Sequence, residues 1–428
     1  MGISGFLPLL KPIEQKVHIK EYAGKKVAID GNVWLHRGAF ACARELALGQ
    51  ETNVYIQYFL RHIKMLLHFN VEPVVVFDGA ALPIKQVTHA ARQKKRQAAL
   101  EDGFAALRMG KTQLANESFQ RSIHITPQMI NKVKKALEQT HVKYIQAPFE
   151  ADAQLTYLCR QGKVAAVVTE DSDLLVFGCP TVLLKMDGQG NATQILHDDL
   201  TKVKDDFIDF TKWDSAKIRH MCILSGCDYL PSLPGVGLRY AYNLLHTSRS
   251  LDKVFTVLQV RGKMKRCMNY KSEFYRANQA FLYQYVYDPD REQMLRLTDP
   301  TNDKDQPLDL SFLGHLSKTN DTLDAKPIRP TVSTHLATLP SSTTSPSSPL
   351  PIPPPTAQKR KRGLCAIDPN RPSLPNTFLP NTKKPQRPTT SLLDKLCSGK
   401  ENIPVSLCLL FMLLSHAHSF VAMVNSPP

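Results

Sequence analysis

Several acids of this chain stand where acids are costly. "KKVAID" runs an apolar stretch into Asp30, "EPVVVFD" into Asp78, and "AAVVTEDSDLLVF" into Glu170, Asp171 and Asp173. "APFEADAQLTYL" adds Glu150 and Asp152, and "SGCDYL" adds Asp228. Carboxylates crowded beside an apolar core repel one another unless something positive lies among them. The acids after "AAVV" are therefore either solvated loop residues or ligands of a cation. Asp171 and Asp173 have the spacing that sends both side chains to one side of an extended segment. Glu150 and Asp152 follow Pro148 at an expected helix start, where acids also complement the helix dipole; alone, that pair reads as N-terminal capping. Taken together, Asp30, Asp78, Glu150, Asp152, Asp171, Asp173 and Asp228 cannot share a small volume ionised without cations. Oxygen ligands of this kind suit Mg²⁺ or Mn²⁺, and no His/Cys pattern argues for zinc. Two such ions about 4 Å apart activate a water and stabilise the leaving oxygen of a phosphodiester.

The runs that deliver these acids must be strands. "KKVAID", "EPVVVFD", "VAAVV" and "TVLLKM" are continuous apolar, largely β-branched stretches, which suit strands buried on both faces of a mostly parallel sheet. "NVYIQYFLRHIKMLLHF" and "TPQMINKVKKALEQT" carry apolar residues at three- and four-residue spacing, the pattern of amphipathic helices. The fold class is α/β. In such sheets ligands collect at the carboxyl ends of the strands, where Asp30, Asp78, Asp171 and Asp173 fall. The positive side is equally legible. "LPIKQVTHAARQKKRQAAL" reads as a helix carrying Lys85, Arg92, Lys94, Lys95 and Arg96, followed by Arg108, Lys111 and Arg121. Alone it would be a solvated charged face; directly after the Asp78 strand it is a candidate phosphate clamp. Lys85 and Arg92, seven residues apart, would share one helical face. "LPGVGLRYAYNLL" places Gly235 and Gly237 in a turn before a helix, where backbone N–H groups can grip a DNA phosphate without reading sequence.

Composition agrees with a polyanionic partner. Lys and Arg number 54 against 38 acids in 428 residues, a formal charge of +16, which favours nucleic acid or an anionic membrane surface. The nine cysteines contain no C-x-x-C pair, and no basic-then-apolar leader opens the chain, as expected for reduced thiols in the nucleus or cytosol. "MGISGF" has Phe6 where a myristoylation start wants Ser or Thr, so lipidation is not expected. From Lys326 to Thr390 the chain is crowded with Pro, Ser and Thr and reads as a disordered tail. Within it "KRKR", Lys359 to Arg362, is either a nuclear-import or nucleic-acid patch or a solvated charge run. "SLCLLFMLL" near the end is too short for a membrane span, so no stable membrane association is expected.

In their order and spacing, "FEADAQLTYL", "TEDSDLL" and "SGCDYLPSLPGVG" resemble the 5′ structure-specific nucleases of the flap endonuclease family. "AFACARELALG", "VVFDGAALP", "RSIHIT" and "LLKMDGQGN" resemble its eukaryotic exonuclease branch. The resemblance runs from "MGI" to about residue 300. It implies a PIN-like nuclease core with a mostly parallel sheet, a helical arch and a helix-two-turn-helix DNA-binding element. The corresponding division is an N-terminal nuclease region at 1–99, arch and connection at 100–137, and an internal nuclease region at 138–228. The helix-two-turn-helix and the rest of the core follow at 229–325, and the tail at 326–428.

The implied activity is Mg²⁺-dependent 5′→3′ exonuclease action on duplex DNA at 5′ ends, nicks, gaps and flaps. It comes with 5′ flap endonuclease activity, in mismatch repair, end resection and recombination. The enzyme would be a nuclear monomer, with mismatch-repair proteins docking on the tail. A flap or junction endonuclease is the nearer alternative; a DNA-junction scaffold without nuclease activity is the more distant one. By the same resemblance the seven acids would hold two Mg²⁺ ions, with Mn²⁺ able to substitute, and Lys85 and Arg92 would touch the scissile phosphate. Gly2, His36, Arg96, Arg121, Lys185, Gly235 and Gly237 would lie along the DNA path. Ser225, Ser232 and the Val236 backbone would hold a K⁺ ion against the duplex. The chain departs from the family pattern at Asn32, where close relatives carry a Tyr that stacks on a base. Pro231 and Pro234 stiffen the turn, and no sliding-clamp box is evident.

Overall fold

The computed structural model describes residues 2–205, 207–264, 269–300 and 309–315. The expected tail at 326–428, with its "KRKR" run and apolar end, lies outside the described residues. The centre is a seven-stranded sheet of β1 (Gln15–His18), β2 (Lys26–Asp30), β3 (Glu72–Phe77), β4 (Lys143–Gln146), β5 (Ala166–Val168), β6 (Thr181–Leu184) and β7 (Asn191–Leu196), in the order β1-β7-β6-β5-β2-β3-β4. The run from β6 through β5, β2 and β3 to β4 is parallel. One edge is antiparallel, β7 pairing with β6 and β1 with β7, a mixed edge that the apolar runs did not announce. A separate hairpin joins β8 (Tyr285–Asp288) to β9 (Gln293–Arg296).

Both faces of this sheet are covered, which is why its strands read as unbroken apolar runs. Period-two alternation divides each strand between two cores. Ala28, Val74, Val76 and Val167 pack into one, with the helices Ala151–Arg160, Ser215–Ser225, Leu238–Thr247 and Tyr270–Leu282. Val27, Ile29, Val75, Phe77 and Val168 pack into the other, under Gly31–Phe40, Val54–His68 and Pro127–Gln139. The chain lays β3 and β4 on one side of β2, then returns to place β5 and β6 on the other. The carboxyl ends of β2 and β5 therefore flank a topological switch point, the crevice where open α/β sheets bind ligands.

Two helices, Gln86–Arg108 and Thr112–Ser122, rise from the β3 connection and pack against each other. The first buries only Ala99, Gly103 and Ala106. A Cβ at Gly103 would lie 2.6 Å from the Phe119 ring, so the missing side chain sets how closely the pair approaches. This helix runs unbroken across residue 100. It begins after Lys85, which closes a 3-10 turn at Pro83–Lys85 and holds the N-cap position, so Lys85 precedes the helix that carries Arg92, and both side chains reach Asp228.

Candidate active site

The acids assemble where the sheet order predicts. Asp30 closes β2 and caps the helix after it, one oxygen accepting from the Val33 N–H at 3.0 Å and the other from Thr169 Oγ1 at 3.0 Å. Asp78 follows β3 at the more open mouth of the crevice. Its carboxylate accepts from the Ala151 N–H at 2.8 Å and from the Asn32 amide. The N-terminus of the helix Ala151–Arg160 is thus satisfied by an acid from another strand. Glu150, in the N-cap position of that helix, makes no side-chain cap. Its carboxylate instead meets Lys85 Nζ, the Tyr229 hydroxyl at 2.5 Å and Gln284 Nε2 at 2.7 Å. The capping reading of Glu150 is therefore replaced by a role in the acid cluster.

Asp171 and Asp173 do not leave an extended segment, as their spacing predicts. β5 ends at Val168, the Asp171 carboxylate accepts from the Asp173 N–H at 3.0 Å, and Asp173 opens a short helix to Phe177. A local turn, not the pleat, brings the two together. Glu170 turns elsewhere: it pairs with Arg37 at 2.8 Å and accepts the Lys185 N–H at 3.2 Å. Asp228 accepts from Lys85 at 3.1 Å and from Arg92 at 2.5 Å, while Thr88 Oγ1 donates to its backbone carbonyl at 2.8 Å.

The protonation behaviour follows from crowding. Burial and the nearby Asp78 push Asp30 up to about 7. Burial, then Asp171 and Asp30, holds Asp152 far above the carboxylate range; burial, then Asp171 and Asp228, does the same to Asp173. Burial also raises Asp78 and Asp171 against the hydrogen bonds each accepts. Asp228 is the exception, since burial raises it but Lys85 and Arg92 together bring it below its ordinary value. Lys85, only 6% exposed, stays charged because Glu150, Asp228 and Asp152 outweigh its desolvation.

These residues fit a hard divalent cation. The donors are carboxylate oxygens, Asp173 Oδ1 is buried with no hydrogen-bond partner, and one ammonium leaves the cluster strongly acidic. Among the described residues no three ligand groups already close on one point. The cation in place among Glu150 and Asp228 is Lys85.

The other sequence-predicted residues divide by distance from this cluster. Gly2 adopts φ 85°, and a side chain there would fall on the Asp171 and Asp173 carboxyl oxygens; Ile3 N–H donates to Ser172 at 2.9 Å. His36 lies half-buried on the helix after Asp30, with burial and Arg96 holding its imidazole below the usual range. Arg96 stands one turn beyond Arg92. Arg121, on the second arch helix, donates to Ser118 at 2.9 Å. Lys185 is exposed in a left-handed conformation beside Glu170.

Ser225 ends its helix with its hydroxyl donating to the Cys222 carbonyl at 2.8 Å. A Cβ on Gly226 would lie 3.1 Å from that of Ser232, so the chain folds back on itself there. The Val236 N–H donates to Leu233 at 2.9 Å, Gly235 takes φ 71°, and Gly237 caps the helix Leu238–Thr247.

Sequence reasoning missed three supports. Thr169 steadies Asp30, while Tyr229 and the fully buried Gln284 steady Glu150, Gln284 also donating to the Tyr229 hydroxyl at 2.8 Å. Tyr229 adjoins Asp228 in sequence, but no pattern marks Gln284. Asn32, identified as a departure, donates to Asp78.

Carboxylates gathered at a mostly parallel sheet thus meet two cations, Lys85 from the 3-10 turn and Arg92 from the helix that follows it. The XPG N-terminal domain matches residues 1–99 and the XPG I-region residues 141–228. The chain is 44% identical over 318 residues to exonuclease 1 of Xenopus laevis, covering 73% of this chain and 43% of that protein. It is 36% identical over 304 residues to the DNA damage-inducible protein DIN7 of Saccharomyces cerevisiae, covering 70% of this chain and 69% of that one. The chain belongs to the exonuclease 1 group of the XPG family, and spans less than half the length of its Xenopus relative. A solved catalytic core of Rad2 with DNA substrate aligns over 65% of this chain and 79% of its own, at 23% identity and a TM-score of 0.47. Among the described residues no helix is long and apolar enough to cross a membrane.

Proposed function

We propose that this chain is a Mg²⁺-dependent 5′→3′ exodeoxyribonuclease with 5′ flap endonuclease activity, acting on duplex DNA at ends, nicks, gaps and flaps. The observation that carries this reading is that Lys85 and Arg92 reach Glu150 and Asp228, two members of the same acid cluster that Asp30 and Asp171 join from the sheet's switch point. A binding scaffold has no use for so many carboxylates facing phosphates.

In this reading the seven acids, some through water, hold two Mg²⁺ ions, which supply water activation and stabilisation of the leaving oxygen. Mn²⁺ substitutes for them. Thr169, Asn32, Tyr229 and Gln284 orient the carboxylates. Lys85 and Arg92 exchange their carboxylate partners for the scissile phosphate and stabilise charge as it develops there. Gly2 lets the N-terminal segment approach the acids. His36, Arg96, Arg121, Lys185, Gly235 and Gly237 line the DNA path, and Ser225, Ser232 and the Val236 backbone would hold a K⁺ ion against the duplex. The names of two relatives, exonuclease 1 and a DNA damage-inducible protein, support exonuclease action in the response to DNA damage. We place the protein in the nucleus as a monomer, acting in mismatch repair, resection and recombination, with mismatch-repair proteins bound through the tail.

The test is product length on a nicked duplex in Mg²⁺ and in EDTA. A Mg²⁺-dependent ladder receding from the 5′ end is expected. One cut and arrest would make the enzyme a flap or junction endonuclease, and no cleavage in Mg²⁺ would overturn the nuclease reading.

A further inference from the structure

One buried cation stands apart from the acid cluster. Lys134, on the helix Pro127–Gln139, is 5% exposed, and among the described residues it forms no ion pair with a carboxylate. Glu138, one turn further on, accepts from the Tyr144 hydroxyl at 2.7 Å instead. A desolvated ammonium without a carboxylate is costly, so packing alone gives it no reason to be there. Its Nζ lies 5.5 Å from the centres of the Phe77 and Tyr144 rings and donates to Gln146 Oε1 at 2.5 Å. The same amide donates from Nε2 to the Asp78 backbone carbonyl at 3.1 Å. That bond stands where the sheet runs out. β4 ends at Gln146, opposite Phe77, and the Phe77 carbonyl accepts from the Ala147 N–H at 2.9 Å. The next carbonyl, that of Asp78, takes its donor from the Gln146 side chain. Beyond it the Gly79 and Ala80 N–H groups donate to the Phe149 carbonyl at 2.6 Å and the Pro148 carbonyl at 3.0 Å. An ammonium has donors only, so Lys134 forces Oε1 of the amide toward itself and Nε2 toward Asp78. An apolar side chain at 134 would let the amide turn over and set oxygen against oxygen.

We propose that Lys134 is a positioning residue for the metal site: through the Gln146 amide it holds the Asp78 peptide, and with it the Asp78 carboxylate, in the orientation that receives a divalent cation. Buried against the amide and the two rings, Lys134 itself meets neither metal nor phosphate. A bond from a charged donor polarises the amide and strengthens the next bond in the chain, the one to Asp78. Outer groups of this kind are worth about 10- to 100-fold in metal affinity. This assignment rests on the reading of Asp78 as a metal ligand.

The experiment compares the full chain with Lys134→Met, Gln146→Met and the double variant, measuring Mg²⁺ affinity by titration calorimetry, melting temperature and duplex binding in EDTA, and single-turnover cleavage. In Lys134→Met the Mg²⁺ affinity should fall about tenfold or more, while the melting temperature in EDTA stays level or rises, since a desolvated charge has been removed. Cleavage should drop at low Mg²⁺ and recover at saturating Mg²⁺, and duplex binding in EDTA should not change. Gln146→Met should lose the same Mg²⁺ affinity, and the double variant no more than the larger single loss, because the two side chains act in series. An unchanged Mg²⁺ affinity in Lys134→Met, with or without a lower melting temperature, would make Lys134 a packing residue and overturn the proposal. Additive losses in the double variant would overturn the route through Gln146. If Lys134→Met does not fold, Gln146→Met carries the test, and an unchanged Mg²⁺ affinity there refutes the proposal. A wild-type chain that binds no Mg²⁺ would instead refute the reading of the acids as metal ligands.

Discussion

Replacing Lys85 by Met should separate the two tasks of this side chain. Its ammonium is the counter-charge of the acid cluster, with 8% of the side chain exposed, paired with Glu150 and 3.1 Å from Asp228. At an effective dielectric near 20 one such pair is worth about 5 kcal/mol of Coulomb energy, much of it offset by desolvation. Breaking a buried pair costs about 3–5 kcal/mol, because the abandoned carboxylates stay buried. The cluster relieves part of this by binding a proton, which places the expected loss in EDTA near 3 kcal/mol. At about 2–4 °C per kcal/mol for a domain of this size, the melting temperature should fall by about 6–12 °C. Divalent ions compete with Lys85 for the same carboxylates, so Mg²⁺ should stabilise the variant more than the wild type. The cleavage rate at saturation should nonetheless drop by about 10² or more, since the scissile phosphate is deprived of a preorganised cation. Calorimetric melts with EDTA and with saturating Mg²⁺, alongside single-turnover cleavage, measure all three quantities. An unchanged melting temperature in EDTA, or an equal Mg²⁺ shift in both proteins, would show that Lys85 is not the resident counter-charge.

Arg92, whose side chain is 44% exposed, should behave differently: Arg92→Ala should leave stability within about 1 kcal/mol while lowering single-turnover cleavage by about 10²; weak binding with normal cleavage at saturation would demote the arch helix to a basic face of the groove. Asp173→Ala should abolish cleavage and leave duplex binding equal or tighter, because it removes repulsion from phosphates; wild-type turnover in Mg²⁺ would remove Asp173 from the ligand set. In metal-free protein Asp30 titrates near 7, above its ordinary value, so the folded state holds a proton that the unfolded chain releases. Its contribution to stability is complete below about pH 4 and is lost as pH rises through about 7. The stabilisation produced by Mg²⁺, which favours the ionised form, should grow across that window, as melts from pH 5 to 8 in EDTA and Mg²⁺ would show. A shift independent of pH would contradict the burial of Asp30 in the cluster.

The amino-acid sequence by itself determined the α/β class, the strands that carry Asp30, Asp78 and the Asp171 segment, and the basic helix after β3. These are local matters. An unbroken apolar run signals a strand covered on both faces, and a charge at its end signals where the run leaves the core. What acts at a distance was decided only by the tertiary structure. Glu170 stands one residue from Asp171 and has the same chemistry, yet Arg37 and the Lys185 backbone draw it away. Glu150 has the position of a helix cap, but Asp78 caps that helix and leaves Glu150 to Lys85. Asp171 and Asp173 converge through a turn, and Gln284 arrives from 134 positions along the chain to support Glu150. Spacing orders residues along one segment; which carboxylate meets which cation depends on the return of β5 beside β2, and that return is a property of the whole sheet.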